Sequence, residues 1–346
     1  MPPKPKKKIN LALQGGGAHG AFTWGVLQRL LEDEDLEICG ISGTSAGALN
    51  GAALKAGMVQ GGREGAQANL AWLWQQVAGV SDLRLTHWMA PFGVGAITQA
   101  LEFALPFTMT DTISQFVSPY SYGPFYRNPL QDVVARFDYG RVCDSVMPKL
   151  FICATRVRNG KIKVFSGDEI TSDALLASAC LPTLFKAVEM NDPLTGRVEA
   201  FWDGGYTGNP ALFPLFDKDL PDDVVIVNIN PLERAELPRT PQQIQNRVNE
   251  ISFNSSLLRE LRAIEFVQRL LENGTLPEGQ MHRVRIHMIA DDDLMSKLSV
   301  ATKTVPNVAV IAALREAGYA AADTFLSNHR ADIGKKSSID LPDMFN

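Results

Sequence analysis

Short apolar runs and glycine-rich breaks alternate over the first fifty residues. Residues 9–13 form an apolar run that stops at Gln14 and gives way to Gly15, Gly16, Gly17, Ala18, His19 and Gly20. Over 21–31, Trp24, Leu27, Leu30 and Leu31 fall near one face at helical spacing, which predicts a helix. A second apolar run at 38–41 leads to Gly43, Thr44, Ser45, Ala46 and Gly47, and the small residues of 48–54 predict another helix. Strand, glycine loop, helix, strand, glycine elbow, helix is the opening of a parallel α/β sheet.

Further strands are expected at 150–157, 162–165, 198–202, 224–229 and 284–289, and helices at 172–179, 241–271 and 308–326. Asn191, Asp192, Pro193, Leu194, Thr195 and Gly196 read as the turn of a hairpin that leads into the strand before Asp203. There is no internal repeat and no low-complexity tract. The stretch 81–126 stands apart, with Phe103, Phe107, Phe116 and other aromatic and methionine side chains set between Pro91, Pro106, Pro119 and Pro124. It reads either as a cap with an apolar inner face or as a helical insertion packed on the sheet.

Composition narrows the class. Hydrophobic residues make up 45% and charged residues 21% of 346, as in an ordinary globular protein. A net charge of −5 offers no general footprint for nucleic acid, so no nucleic-acid partner is expected. Cys39, Cys143, Cys153 and Cys180 include no C-x-x-C pair and read as reduced thiols, mostly buried. Lys4, Lys6, Lys7 and Lys8 precede an apolar run too short for a signal peptide, and no stretch has the roughly 18 apolar residues of a membrane span. A cytoplasmic protein is expected, its basic start either a solvated tail or a peripheral contact with an anionic lipid surface.

Two glycine motifs carry the chemistry. Gly43-Thr44-Ser45-Ala46-Gly47 is G-x-S-x-G between a strand and a helix, where flanking glycines permit a sharp turn that exposes the serine Oγ. Gly15, Gly17 and Gly20 also satisfy the G-x-G-x-x-G dinucleotide fingerprint, but that reading needs an acid at the end of the second strand. Asp35 and Glu37 both precede it. Gly15, Gly16 and Gly17 instead offer adjacent backbone N–H groups for a tetrahedral oxyanion. For the base, Asp203 closes an apolar run and is followed by Gly204 and Gly205. His282, His287 and His329 come later in the chain and could in principle complete a Ser-Asp-His order. None follows a strand with a glycine neighbour, and His287 sits inside an apolar run. His19 either adds positive charge near the oxyanion or faces solvent.

The set Gly15-Gly16-Gly17-Ala18-His19-Gly20, Gly43-Thr44-Ser45-Ala46-Gly47 and Asp203-Gly204-Gly205 resembles the patatin-like phospholipases, acyl hydrolases related to cytosolic phospholipase A2. Ala177-Ser178-Ala179-Cys180-Leu181-Pro182 and Asn128-Pro129-Leu130 are similar to two further blocks of that family. The resemblance implies a three-layer α/β/α sandwich around a mostly parallel sheet. It implies Ser45 as nucleophile, Asp203 as general base, the Gly15, Gly16 and Gly17 amides as oxyanion hole, and Gly43 and Gly47 as the elbow. The family usually has Arg or Lys where this chain has His19. A single catalytic domain is expected over 9–335, with a basic tail at 1–8, a C-terminal tail at 336–346 and a cap at 81–126.

An aspartate near pKa 3.9 is a weak base for a serine hydroxyl and needs a site that excludes water. No cofactor and no metal is expected: Asp291, Asp292 and Asp293 read as a solvated turn or a helix N-cap cluster, without calcium-ligand spacing. The expected activity is phospholipase A or esterase cleavage of a lipid-like acyl ester. A thioesterase or polyester hydrolase with the same dyad and a dinucleotide-binding oxidoreductase are the competing readings.

Overall fold

A computed structural model describes residues 5–79, 118–193, 195–277, 279–298, 300–304 and 306–345. In chain order it contains β1 (Lys7–Leu13), a 3-10 turn (Gly17–His19), α1 (Gly20–Glu32), β2 (Leu36–Thr44) and α2 (Ala46–Gly79). After a 3-10 segment at Pro119–Phe125 come α3 (Gln131–Val134), α4 (Tyr139–Val142), β3 (Lys149–Arg156), β4 (Ile162–Ser166) and α5 (Ser172–Ser178). The chain continues with β5 (Val188–Asp192), β6 (Arg197–Asp203), β7 (Asp223–Val227), α6 (Pro241–Glu272) and β8 (Arg285–Ile289). Helices α7 (Asp292–Met295), α8 (Val300–Thr304), α9 (Val308–His329) and α10 (Leu341–Met344) complete it.

One sheet runs β5-β6-β3-β2-β1-β7-β8, with β4 also paired to β3. The pairs β3–β2, β2–β1, β1–β7 and β7–β8 are parallel, while β4, β5 and β6 pair antiparallel. Side chains alternate across this sheet with period two and divide the core in two. Leu11, Leu13, Val225 and Val227 join one core with residues of α1, α2, α5 and α9. Ala12, Val224 and Ile226 join the other with Leu257 and Leu261 of α6 and Leu341 of α10. Helices therefore cover both faces, as parallel strands require. The fold is mixed α/β, with a mostly parallel central sheet between helical layers.

Helices α1 and α9 meet backbone to backbone. A Cβ on Gly25 would lie 1.9 Å from the Arg315 carbonyl oxygen, and one on Gly318 would lie 2.0 Å from that of Phe22. Glycines that look like weak points in two helices are thus what lets them cross this closely.

Several expectations are revised. The helix expected at 48–54 is the start of a 34-residue element that breaks at Gly61 and Gly62, where the backbone leaves helical angles. The expected hairpin has a partner strand, β5, unread in the sequence because Glu189, Asn191 and Asp192 interrupt any apolar run. Residues 336–345 are no free tail: Ser337 Oγ accepts the Ile286 N–H at 3.0 Å, and Leu341 is fully buried against the second core. At the other end, Lys7 and Lys8, expected in the basic tail, are the first residues of β1. Of the expected cap, residues 81–117 lie outside the described residues. Its end, 118–126, packs on the segment after α5, where Tyr126 and Tyr120 hydroxyls accept the N–H groups of Lys186 and Ala187 at 3.0 and 3.1 Å.

Candidate active site

Strand β2 ends at Thr44 and α2 begins at Ala46, which leaves Ser45 alone to make the turn. Its φ of 53° is the only positive value on a non-glycine residue among those described. A left-handed serine costs on the order of 1 kcal/mol or more and marks a turn that its surroundings enforce. Part of that enforcement is contact: a Cβ on Gly47 would lie 2.1 Å from the Leu13 carbonyl oxygen, and one on Gly43 would lie 2.6 Å from that of Gly47. The rest is a hydrogen bond. The Ser45 N–H donates to Ser178 Oγ at 2.9 Å, and that hydroxyl donates to the Cys153 carbonyl at 2.7 Å.

The register of β3 brings Asp203 to the same place. Along one edge of β3, Thr44 of β2 sits opposite Cys153 and Asp203 of β6 sits opposite Ala154. The other edge carries β4, which pairs Phe151 through Thr155. Strand β2 runs parallel to β3 and β6 antiparallel, so β2 and β6 point at each other and end at neighbouring residues. Asp203 Oδ1 accepts the Gly205 N–H at 2.7 Å, whereas Oδ2 is buried and takes no hydrogen bond among the described residues. Burial pushes the carboxyl up to about 7, against smaller pulls downward from the Gly205 amide and the Ser45 hydroxyl. Tyr206, stacked edge-on against Phe253 with centroids 5.3 Å apart, and Cys180 stand close enough to feel the Asp203 charge. Burial and that charge raise both of their acid groups to about 12.

The glycine loop lies against the elbow, since a Cβ on Gly15 would fall 2.7 Å from the Ser45 Cβ. Its backbone is held by asparagine side chains. Gly15 donates its N–H to Asn209 Oδ1 at 2.7 Å, and its carbonyl accepts from Asn230 Nδ2 at 2.8 Å. Gln14 Oε1 accepts the N–H of Ile229 and Asn230 at 2.9 and 3.0 Å, so this anchor is itself fixed. The Gly15 amide, expected as one of three oxyanion donors, is therefore engaged by Asn209. Gly16 and Gly17 donate to no protein acceptor among the described residues. Because a trans peptide sets C=O and N–H in opposite directions, the anchored Gly15 carbonyl turns the Gly16 N–H away from the asparagines.

A family model, patatin-like phospholipase, matches residues 11–216, more than half of the chain. The chain belongs to the patatin-like phospholipase family. The matched region includes the elbow, the glycine loop and Asp203. Patatin-like phospholipases are hydrolases of lipid acyl esters, and that is the broad activity the family assigns. No curated protein sequence matches this chain. Among solved structures it is similar to VipD from Legionella pneumophila, with a TM-score of 0.41 and 16% identity over 94% of this chain and 67% of that one. It is also similar to the ExoU-SpcU complex from the type III secretion system of Pseudomonas aeruginosa, with a TM-score of 0.30 and 18% identity over 96% of this chain. It spans 62% of the length of that matched chain.

The expectation about His19 changes in this patatin-like site. His19 neither faces solvent nor supplies charge: it is buried, its Nε2 lies 2.8 Å from Thr302 Oγ1, and its Nδ1 takes no hydrogen bond among the described residues. Burial, reinforced by the charges of Lys303 and Arg234, lowers its pKa well below the usual value and keeps the ring neutral. The later histidines pair elsewhere. His287 Nε2 lies 3.0 Å from Asp223 Oδ1 and His282 Nδ1 lies 2.9 Å from Asp222 Oδ1, both at the start of β7. The parallel strands carry Ser45 at their far end, so these pairs lie across the sheet from it. A cleft of about 700 Å³ opens at the same remote end, lined by Lys6, Lys8, Lys218, His282 and Arg285 among others. His329 pairs with Asp332 at 3.1 Å.

Other expected features are structural. Asp291 caps α7 through Oδ1, which accepts the Leu294 N–H at 2.9 Å, and no cluster that could hold a metal ion occurs among the described residues. No described helix is long and apolar enough to cross a membrane. Ser178, Asn209 and Asn230 were not expected as site residues. The signal for the asparagines was their Asn-Pro sequence, Asn209-Pro210 and Asn230-Pro231, which reads only as a turn. Ser178 lies in the Ala177–Pro182 segment that is similar to a family block, and a small residue among alanines carries no local signal of its partner.

Proposed function

We propose that the chain is a phospholipase A or esterase that cleaves lipid acyl esters through an acyl-Ser45 intermediate. The observation that carries this reading is the meeting of β2 and β6, which sets an elbow serine beside a buried aspartate whose carboxyl titrates near neutrality. In the acylation step, Asp203 Oδ2 takes the Ser45 hydroxyl proton as Oγ bonds to the ester carbonyl carbon. The carbonyl oxygen becomes an oxyanion held by the Gly16 and Gly17 amides. Collapse breaks the carbon–oxygen ester bond, and the leaving alkoxide receives the proton from Asp203. Water then attacks the acyl-enzyme, giving its proton to Asp203, and the carboxylic acid leaves as the proton returns to Ser45 Oγ.

Burial makes the dyad workable. An ordinary aspartate would be several pKa units too weak, whereas one raised to about 7 is half-ionised at neutral pH and a better proton acceptor. The test is incubation of the wild type and Ser45→Ala with a mixed panel of phospholipids, neutral glycerides and acyl thioesters, followed by product analysis. Free fatty acid and lysolipid should appear with wild type alone, and a fluorophosphonate should label Ser45. Thioester cleavage without oxyester cleavage would move the substrate class, and unlabelled Ser45 with intact turnover would remove the nucleophile.

A further inference from the structure

The oxyanion loop carries no cation of its own, because His19 is buried and neutral. A cation reaches it from the C-terminal part of the chain. Helix α8 packs so closely on the loop that a Cβ on Gly17 would lie 2.3 Å from the Lys303 carbonyl oxygen. Lys303 Nζ donates to Asn230 Oδ1 at 3.1 Å, Asn230 Nδ2 donates to the Gly15 carbonyl at 2.8 Å, and the same peptide unit carries the Gly16 N–H.

We propose that Lys303 is a positioning residue that polarises the oxyanion donor through the chain Lys303–Asn230–Gly15–Gly16. The inference rests on the reading of the Gly16 N–H as an oxyanion donor. A positive charge at an amide oxygen draws electrons from its NH₂ group, which then donates more strongly. A stronger bond to the Gly15 carbonyl makes the Gly16 N–H a better donor in turn, since hydrogen bonds in series reinforce one another where the dielectric is low. Direct contact with substrate is not required. Lys303 lies outside residues 11–216, so this part of the site is built by a region beyond the family match.

The charged and titratable groups around Lys303 come from three directions. Glu250 lies on α6 and holds Arg234 at 2.6 and 2.8 Å and Arg247 at 3.4 Å, while His19 lies on the loop. Among the described residues, Glu250 thus faces three cations, Arg234, Arg247 and Lys303. Burial lowers the Lys303 ammonium to about 8, Glu250 pulls it back up and Arg234 presses it further down. The charge is present below that pH and lost above it, so the polarisation operates at neutral pH and fades on the alkaline side.

The experiment measures hydrolysis of a short-chain chromogenic ester by the full chain across neutral and alkaline pH, for wild type, Lys303→Met, Lys303→Arg and Gly16→Pro. Wild type should show a partial fall in kcat near pH 8. Lys303→Met should lower kcat at neutral pH about tenfold, a fraction of the 10²–10³-fold that one direct donor supplies, with KM little changed and the alkaline fall abolished. Lys303→Arg should restore most of kcat and keep it level through the alkaline range. Wild-type kcat and an unchanged alkaline fall in Lys303→Met would overturn the relay, as would an Arg variant as impaired as the Met variant and equally lowered in melting temperature. If Gly16→Pro is inactive while Lys303→Met is normal, the relay alone fails; if Gly16→Pro is active, the oxyanion reading fails with it.

Discussion

On the proposed mechanism, Asp203 sets activity and stability against each other. Its folded-state pKa of about 7 lies above the ordinary carboxylate value, so the folded protein holds a proton that the unfolded chain releases at lower pH. Stability from this group is present below the unfolded pKa and declines as pH rises from about 4 to 7. If Asp203 is the base, as proposed, activity runs the other way, because the base must be ionised, and kcat/KM should climb through pH 7. Asp203→Asn should therefore lose about 10³-fold or more of the rate while melting at a higher temperature than wild type at pH 8, as a buried charge is removed. A pH–rate profile and thermal melts of the two proteins check both halves. An active Asp203→Asn would put the base elsewhere, and a lower melting temperature would show that the charge has a partner.

At the level of elements, the site is a consequence of how one strand is shared. Strand β3 takes β2 and then β6 along a single edge, so one step of its backbone, Cys153 to Ala154, separates the partners of Thr44 and Asp203. Apolar runs ending in glycine announced β2 and β6, and with them Ser45 and Asp203: β2 because a buried parallel strand is written as a hydrophobic block, antiparallel β6 because its last residues, Ala200, Phe201 and Trp202, are apolar. That they meet could not be read, since pairing between distant strands leaves no local mark. Strand β5 escaped for the opposite reason: three polar residues in five make it look like a loop. The support from α5 was equally silent, as Ser178 is one small residue among alanines whose partner lies far away in sequence. Ser178→Ala should leave the Ser45 N–H buried without an acceptor, at about 1–3 kcal/mol. The elbow would then drift, and kcat should drop by about 10–100-fold while the fold persists. Fluorophosphonate labelling rates on the folded variant would check this, and a wild-type rate would mean that the glycine contacts suffice.

For the molecule as a whole, the alternation of strand and helix patterns made the parallel α/β sheet legible, whereas helical layers on both of its faces were what the family resemblance implied. The ends of the chain were less legible. Hydrophilic Lys336, Ser337 and Ser338 hide the buried Leu341 beyond them, and Lys7 and Lys8 disguise the start of an inner strand. The strand they open also fixes a polarity for the whole protein. Lys6 and Lys8 line the cleft at one end of the sheet, and Ser45 follows the last residue of β2 at the other. Seven residues of β1 span roughly 23 Å, more than two Debye lengths at physiological ionic strength. An anionic bilayer drawn to those lysines would thus meet the molecule by its back, with Ser45 turned towards the aqueous side. Exchanging Lys6 and Lys8 for glutamine should weaken sedimentation with anionic vesicles without slowing hydrolysis of lipid in them. A parallel loss of binding and turnover would mean that the enzyme works lysine end first.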